Sequence, residues 1–179
     1  MLYNNYQVEC LDDLKDFYNL YIPLVRQTLS NYGSLELFGL HVDHLGLQVA
    51  SRVEFDLIHE KLLTYCEVVN KGVIHERRNN TYRLQDFIGP TEYKLQSIEM
   101  FEPKPGAETN KLKLGIEHIA FVVEDYDGIV DYFTKNNIPV AKTADFNGSK
   151  FFKTIFVNLV EIEFRNDYLW QTLSQASRV

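Results

Sequence analysis

Residues 41–49 read His-Val-Asp-His-Leu-Gly-Leu-Gln-Val, and residues 115–123 read Gly-Ile-Glu-His-Ile-Ala-Phe-Val-Val. Each stretch is an apolar strand with an acidic residue and then a histidine near its start, and the two histidines, His44 and His118, stand 74 positions apart. Each strand leads into a helix. Each half then closes on a strand that carries a carboxylate: Ser-Ile-Glu-Met-Phe at 97–101 and Glu-Ile-Glu-Phe-Arg at 161–165. Self-similarity at a fixed offset marks a repeat architecture and decides the fold. Two histidines and two glutamates at matched positions of a repeat can converge on one point, and that is the chemistry of a metal centre.

Working outward, Ser51-Arg52-Val53-Glu54 has the form of a capping box and starts a helix after the first strand. Val53, Leu57, Ile58, Leu62, Tyr65, Cys66 and Val69 are expected on its apolar side, with a stop at Asn70-Lys71-Gly72. Strands follow at 73–78 and 81–88 around an Asn79-Asn80 turn, and Gly89-Pro90 precedes a long closing strand at 92–102. The second half repeats the order. It has a strand at 116–124, Asp125 as the cap of a helix over 126–136 with Ile129, Val130 and Phe133 buried, and strands near 138–145, 150–157 and 159–166. Asn147-Gly148 is its hairpin signal. Before the repeat, residues 8–31 place Leu11, Leu14, Tyr18, Tyr21, Ile22, Val25 and Leu29 on one helical face. Pro23 makes a kink, or two consecutive helices, as admissible there as one straight helix. The chain divides into an N-terminal helical extension (1–40), a first βαβββ module (41–102), a linker (103–115) and a second βαβββ module with a short helical tail (116–179). All of these belong to one α+β domain.

Side chains alternate faces along a strand. His44, Gly46 and Gln48 therefore share one face, as do His118, Ala120 and Val122. Glu99 shares a face with Ser97, and Glu163 with Glu161. The opposite positions Leu45, Leu47, Ile119 and Phe121 are expected to pack on the helices, which turns the histidine faces into the hollow of the sheet. Gly46 and Ala120 leave room beside each histidine. Asp43 and Glu117 fall on the other face, as surface or supporting groups rather than ligands. Gln48, Arg83 and Ser97 are candidates to line the hollow. A lone histidine at a strand start is more often a hydrogen-bonded core residue than a ligand. It is the pairing of His44 with His118 and two glutamates that favours metal, and His41, His59 and His75 lack such partners.

Composition excludes several classes. A net charge of −7, with Arg77-Arg78 the only adjacent basic pair, lacks the clustered basic face of a nucleic-acid binder. No apolar run approaches the ~18 residues of a membrane span, and the N-terminus has no secretory signal. Cys10 and Cys66 form no CxxC and read as free thiols in a reducing cytoplasm.

Two β-α-β-β-β modules with histidine on the first strand and glutamate on the last resemble the vicinal oxygen chelate superfamily. That superfamily includes glyoxalase I, methylmalonyl-CoA epimerase, extradiol dioxygenases and bleomycin-resistance proteins. The segments VDHLGLQV, KLQSIEMFEPKPG and GIEHIAFVV, in that order after an N-terminal helix, resemble the YecM-like proteins, a metal-binding branch of it. The resemblance implies an eight-stranded open cup with His44, Glu99, His118 and Glu163 as ligands of a divalent zinc, nickel, iron, manganese or cobalt ion. Glu161, two residues away on the same face, is the alternative fourth ligand. It further implies a small vicinal-oxygen substrate and a metal-stabilised enolate, with Glu163 or Glu99 as the base of a lyase or isomerase. The alternatives are a non-enzymatic small-molecule binder of the bleomycin-resistance type and an extradiol-type dioxygenase. Both modules lie in one chain, so a monomer can complete the cup, and a homodimer is left open.

Overall fold

The apolar alternation of the two histidine strands brings them side by side in the middle of a single sheet. The computed structural model describes residues 11–33, 35–107, 114–146, 148–155 and 161–176. In chain order its elements are α1 (Leu11–Ser30), β1 (Leu40–Gln48), α2 (Arg52–Leu62), β2 (Cys66–Ile74), β3 (Arg77–Ile88), β4 (Leu95–Phe101), β5 (Gly115–Val123), α3 (Tyr126–Lys135), β6 (Lys142–Phe146), β7 (Ser149–Ile155), β8 (Glu161–Arg165) and α4 (Leu169–Ala176). Single 3-10 turns lie at Leu35–Phe38 and Thr91–Tyr93. The eight strands form one open sheet in the order β2-β3-β4-β1-β5-β8-β7-β6. Within each half the first strand runs parallel to the last, β1 with β4 and β5 with β8. The halves meet where β1 and β5 pair antiparallel. The α+β class, the twice-repeated βαβββ order and the open eight-stranded cup are as the sequence predicts.

One face of the sheet carries the core. Leu45, Leu47, Ile119 and Phe121 are buried there with Phe55, Ile58 and Leu62 of α2, Ile129 and Phe133 of α3, and Tyr18, Tyr21, Ile22 and Val25 of α1. The α1 helix runs continuously through Pro23, which faces solvent, where the carbonyl it leaves unpaired can reach water. Tyr18 Oη donates to the Tyr93 carbonyl at 2.8 Å, tying α1 to the helix-side face and not to the mouth of the cup.

Three expectations are corrected. The α2 helix ends at Leu62 and not near Asn70, because residues 66–74 pair with β3 instead. Its buried side is Phe55, Ile58 and Leu62, while Val53 and Leu57 are 70% and 60% exposed. The β2–β3 turn falls at His75-Glu76, with φ of 51° and 62°, the two positive values that a tight hairpin of primed type needs. Asn79 and Asn80 lie buried inside β3, where they find side-chain partners in Glu99 and Tyr82. Tertiary hydrogen bonds outweigh turn propensity there. Expectations that fall on residues 1–10, 108–113, 147 and 156–160 (Cys10, most of the linker, Asn147 and the β7–β8 connection) lie outside the described residues.

Candidate metal centre

The geometry of the centre begins with two irregularities in the β1–β5 pairing. Val42 pairs with Phe121 but Leu45 with Ile119, so Asp43 and His44 together stand opposite Ala120. Gly46 pairs with His118 but Leu47 with Ile116, so Glu117 is the extra residue on β5. Each strand thus carries a bulge beside its histidine, a device that re-aims side chains. His44 and His118 face each other with Nε2 atoms 3.1 Å apart and ring planes at 84°. Gly46 is needed for this approach, since a Cβ there would lie 2.1 Å from His118 Cε1.

Glu99 completes a group of three. Its Oε2 is 3.5 Å from His44 Nε2 and 3.8 Å from His118 Nε2. One ligand atom from each of His44, Glu99 and His118 fits within 4.8 Å of the others. Glu163 Oε2 lies 3.8 Å from His118 Nε2, but Glu163 is not part of that group. Its Oε1 accepts from Arg165 Nη1 at 2.7 Å, and its Oε2 is 3.3 Å from Lys153 Nζ. Glu161, the alternative fourth ligand, is 3.2 Å from the same ammonium. Glu117, His118 and Glu161 form a second ligand-like group, with Lys153 Nζ also 3.3 Å from His118 Nδ1.

The donor set fits a divalent transition metal. Both imidazoles are fully buried, nothing apolar separates their nitrogens, and an anionic oxygen closes the triangle. Carboxylates also outnumber cations around it: Asp43, Glu99, Glu161 and Glu163 against Lys153 and Arg165. Burial works against a charged His44, but the hydrogen bonds and charges of Asp43 and Glu99 outweigh it and push its pKa up to about 9. An incoming cation would displace that proton. Burial likewise works against ionised Glu99, yet His44 and the Asn79 amide hold its carboxyl below the usual range. Lys153 stays charged because Glu163 and Glu161 overcome its desolvation, and Arg165 does so beside Glu163 and Asp43. Cys66 takes no part, since burial pushes its thiol up to about 12.

Several roles differ from the sequence reading. Asp43 is completely buried, because the bulge brings it to the His44 ring, and its Oδ2 is 2.9 Å from Nδ1. Lys153, Arg165 and Asn79 were not anticipated as neighbours of the ligand set. The available signal for Lys153 was a lone lysine on the hollow side of the apolar strand Phe-Phe-Lys-Thr. Gln48 and Ser97 are buried supports: Gln48 accepts from Arg77 at 2.8 Å, and Ser97 Oγ donates to the Asp43 carbonyl at 3.1 Å. Arg83 lies under the ring of Trp170 at 4.1 Å, so α4 and not α1 reaches the histidine face of the sheet. His59 bonds Tyr82 Oη at 2.7 Å, His41 pairs with Glu124 at 3.4 Å, and His75 turns the hairpin.

The family model of YecM protein matches residues 8–158. The chain belongs to the YecM protein family. A solved structure described as Structural Genomics, Protein EC4020, superposes with a TM-score of 0.71 at 15% identity, over 98% of each chain. Methylmalonyl-CoA epimerase from Mycobacterium tuberculosis gives a TM-score of 0.50 at 17% identity, over 69% of this chain and 85% of that one. A methylmalonyl-CoA epimerase in complex with methylmalonyl-CoA and NH4+ gives 0.51 at 16%, over 70% and 93%. At such identities the likeness establishes the fold, which is that of the vicinal oxygen chelate superfamily. A search of curated proteins finds no match. Among the described residues no helix is long and apolar enough to cross a membrane.

Proposed function

We propose that this chain is a divalent-metal-dependent enzyme of the glyoxalase or epimerase type, acting on a small substrate with two vicinal oxygens. Its ligands are His44, Glu99, His118 and, until it is released to act as base, Glu163. The observation that carries this reading is the convergence of His44, Glu99 and His118, drawn from both halves of the sheet, within 4.8 Å. A methylmalonyl-CoA epimerase of the same fold is in complex with methylmalonyl-CoA, whose acyl group carries a carbonyl beside a carboxylate. A divalent metal held by these residues would supply positive charge to substrate oxygens on which negative charge develops as the proton leaves. Glu163 is the base. Its carboxylate takes a proton from the carbon beside the carbonyl and returns it at the neighbouring position or the opposite face. Arg165 and Lys153 hold that carboxylate in place, and Asn79 orients Glu99. Burial of the centre excludes bulk water. A reducing cytoplasm suits the buried free thiol of Cys66.

Elemental analysis of the purified protein beside the His44→Ala/His118→Ala double variant tests the reading. About one equivalent of a transition metal, lost in the variant, supports it and justifies assays of 2-oxo and hemithioacetal substrates. No metal after reconstitution with each candidate ion would overturn it.

A second reading rests on a specific feature. Glu163 is held by Arg165 at 2.7 Å, which leaves two histidines and one carboxylate as the convergent group. That is the donor set of non-haem iron oxygenases. Ring cleavage of a catechol by the iron(II)-loaded protein, with matching dioxygen uptake, would decide for it.

A further inference from the structure

Asp43 touches more of this centre than a neighbour in sequence needs to. Its Oδ2 accepts the Nδ1 proton of His44 at 2.9 Å and the backbone N–H of Leu169 at 3.0 Å. Leu169 is the first residue of α4 and lies 126 positions away in sequence. An ionised carboxylate can only accept, so the Asp43 contact keeps the proton of His44 on Nδ1 and leaves Nε2 for the cavity. The same oxygen that orients the imidazole therefore also holds the start of the C-terminal helix. The other oxygen, Oδ1, is buried and has no hydrogen-bond partner among the described residues. Leaving a buried carboxylate oxygen unpaired is unfavourable, so a purely architectural contact would be better made by a smaller neutral side chain.

The second anchor of α4 is on the other half of the site. Asp167, just before the helix, accepts from Arg165 Nη2 at 3.2 Å and from Thr172 Oγ1 in the first turn. Arg165 spends its other branch on Glu163. The start of α4 is thus bonded to the partner of His44 and to the partner of Glu163.

We propose that Asp43 is a positioning residue that couples the docking of α4 to the metal-ligating orientation of His44. This inference rests on the metal-centre reading above. Metal at Nε2 strengthens the Nδ1–H···Oδ2 bond, which fixes Oδ2 where Leu169 N–H needs it. A docked α4 in turn pre-orients His44. Coupling of this kind is reciprocal.

The test uses the full-length chain as wild type and as Asp43→Ala, Asp43→Asn and Leu169→Pro, each metal-free and titrated with Zn²⁺ against a competing chelator. Leu169→Pro, read against Leu169→Ala as the control for the lost half-buried side chain, removes the N–H at the first helical position, where proline is well tolerated, and touches no ligand. Trp170 is the only tryptophan of the chain and sits in α4, so its emission reports docking. The expected results are about 10- to 100-fold weaker Zn²⁺ binding for Asp43→Ala, recovery of most of that loss in Asp43→Asn, whose amide oxygen can accept both bonds, and about fivefold weakening in Leu169→Pro. Metal-free Asp43→Ala should also lose the protected His44 Nδ1–H resonance and red-shift Trp170. Wild-type Zn²⁺ affinity in Leu169→Pro overturns the coupling, whether or not Trp170 emission changes and even where Asp43→Ala fails to fold. Absence of Zn²⁺ binding by the wild type overturns the metal reading, and the two metal-free signals then decide the Asp43 link by themselves.

Discussion

The two halves of this protein share their backbone pattern but differ in what stands behind each candidate ligand. In the first half a carboxylate, Asp43, backs His44, and a neutral amide, Asn79, holds Glu99 at 2.9 Å. In the second half an ammonium, Lys153, lies against the outer nitrogen of His118, and Arg165 and Lys153 clamp Glu163. A carboxylate behind an imidazole makes it a better electron donor, and an amide leaves the charge of its glutamate free for a metal. On the proposed metal reading, the first half would therefore ligate more strongly. The second half sets an imidazole beside a cation and restrains its carboxylate. The contrast recurs at the strand ends. Glu102 after β4 accepts from Arg78 N at 2.9 Å, and its own N–H donates to Arg78 O. Asn166 after β8 makes the same pair of bonds with Lys150, without a charge. Duplicated geometry with divergent charge is what distinguishes the halves.

The largest effect is expected at the restraint on Glu163. Arg165→Met leaves Glu163 and Asp167 without their main cation and should lower unfolding free energy by about 3–5 kcal/mol. Arg78→Met, which takes the cation from Glu102 in the first half and whose side chain is 39% exposed, should lose about 1 kcal/mol. Equal losses in urea unfolding would erase the asymmetry. Next come the two glutamates. Glu99→Gln should weaken metal binding about 100-fold, or roughly 2.7 kcal/mol, and Glu163→Gln less than about tenfold, with turnover lost instead. Chelator competition reads the first and substrate assays the second, and a reversed order would make Glu163 the principal carboxylate ligand.

A smaller effect separates the strand-end clamps by pH. Burial opposes ionised Glu102, but Arg78 prevails and holds its carboxyl below its ordinary value of 4.5. Because the folded pKa is the lower one, the stabilisation is present above about pH 4.5 and is lost as pH falls through the folded value. Glu102→Gln keeps an oxygen for Arg78 N–H but loses the charge. It should be about 1 kcal/mol less stable at pH 7, with the difference gone near pH 3, whereas Asn166→Asp should create no such loss on acidification. The smallest test concerns the helix caps. Ser51 Oγ accepts from Glu54 N at 3.1 Å and Asp125 Oδ1 from Gly128 N at 2.9 Å, so Ser51→Ala and Asp125→Ala should each cost about 1 kcal/mol in thermal unfolding.

The sequence alone determined the repeat, and with it the βαβββ order, the two capped helices, the apolar face of Leu45, Leu47, Ile119 and Phe121, and the histidine pair. Those follow from periodicity and spacing, which local sterics and burial impose on any chain with this pattern. Tertiary structure alone decided that β2 begins at Cys66, that Asn79 and Asn80 are strand residues holding Glu99 and Tyr82, and that Asp43 stands beside His44. A period-two rule assigns Asp43 to the far face. The bulge cancels the rule, because one extra residue in β1 changes the facing of its neighbours and the pairing partner on β5 fixes where that residue goes. Lys153 and Arg165 come to the ligands only through the β7–β8 and β5–β8 pairings, and Leu169 reaches Asp43 across 126 residues. Contacts of that separation leave no local periodicity to read, since what selects them is the charge and the unpaired donors of a cavity that exists only once both halves have closed around it.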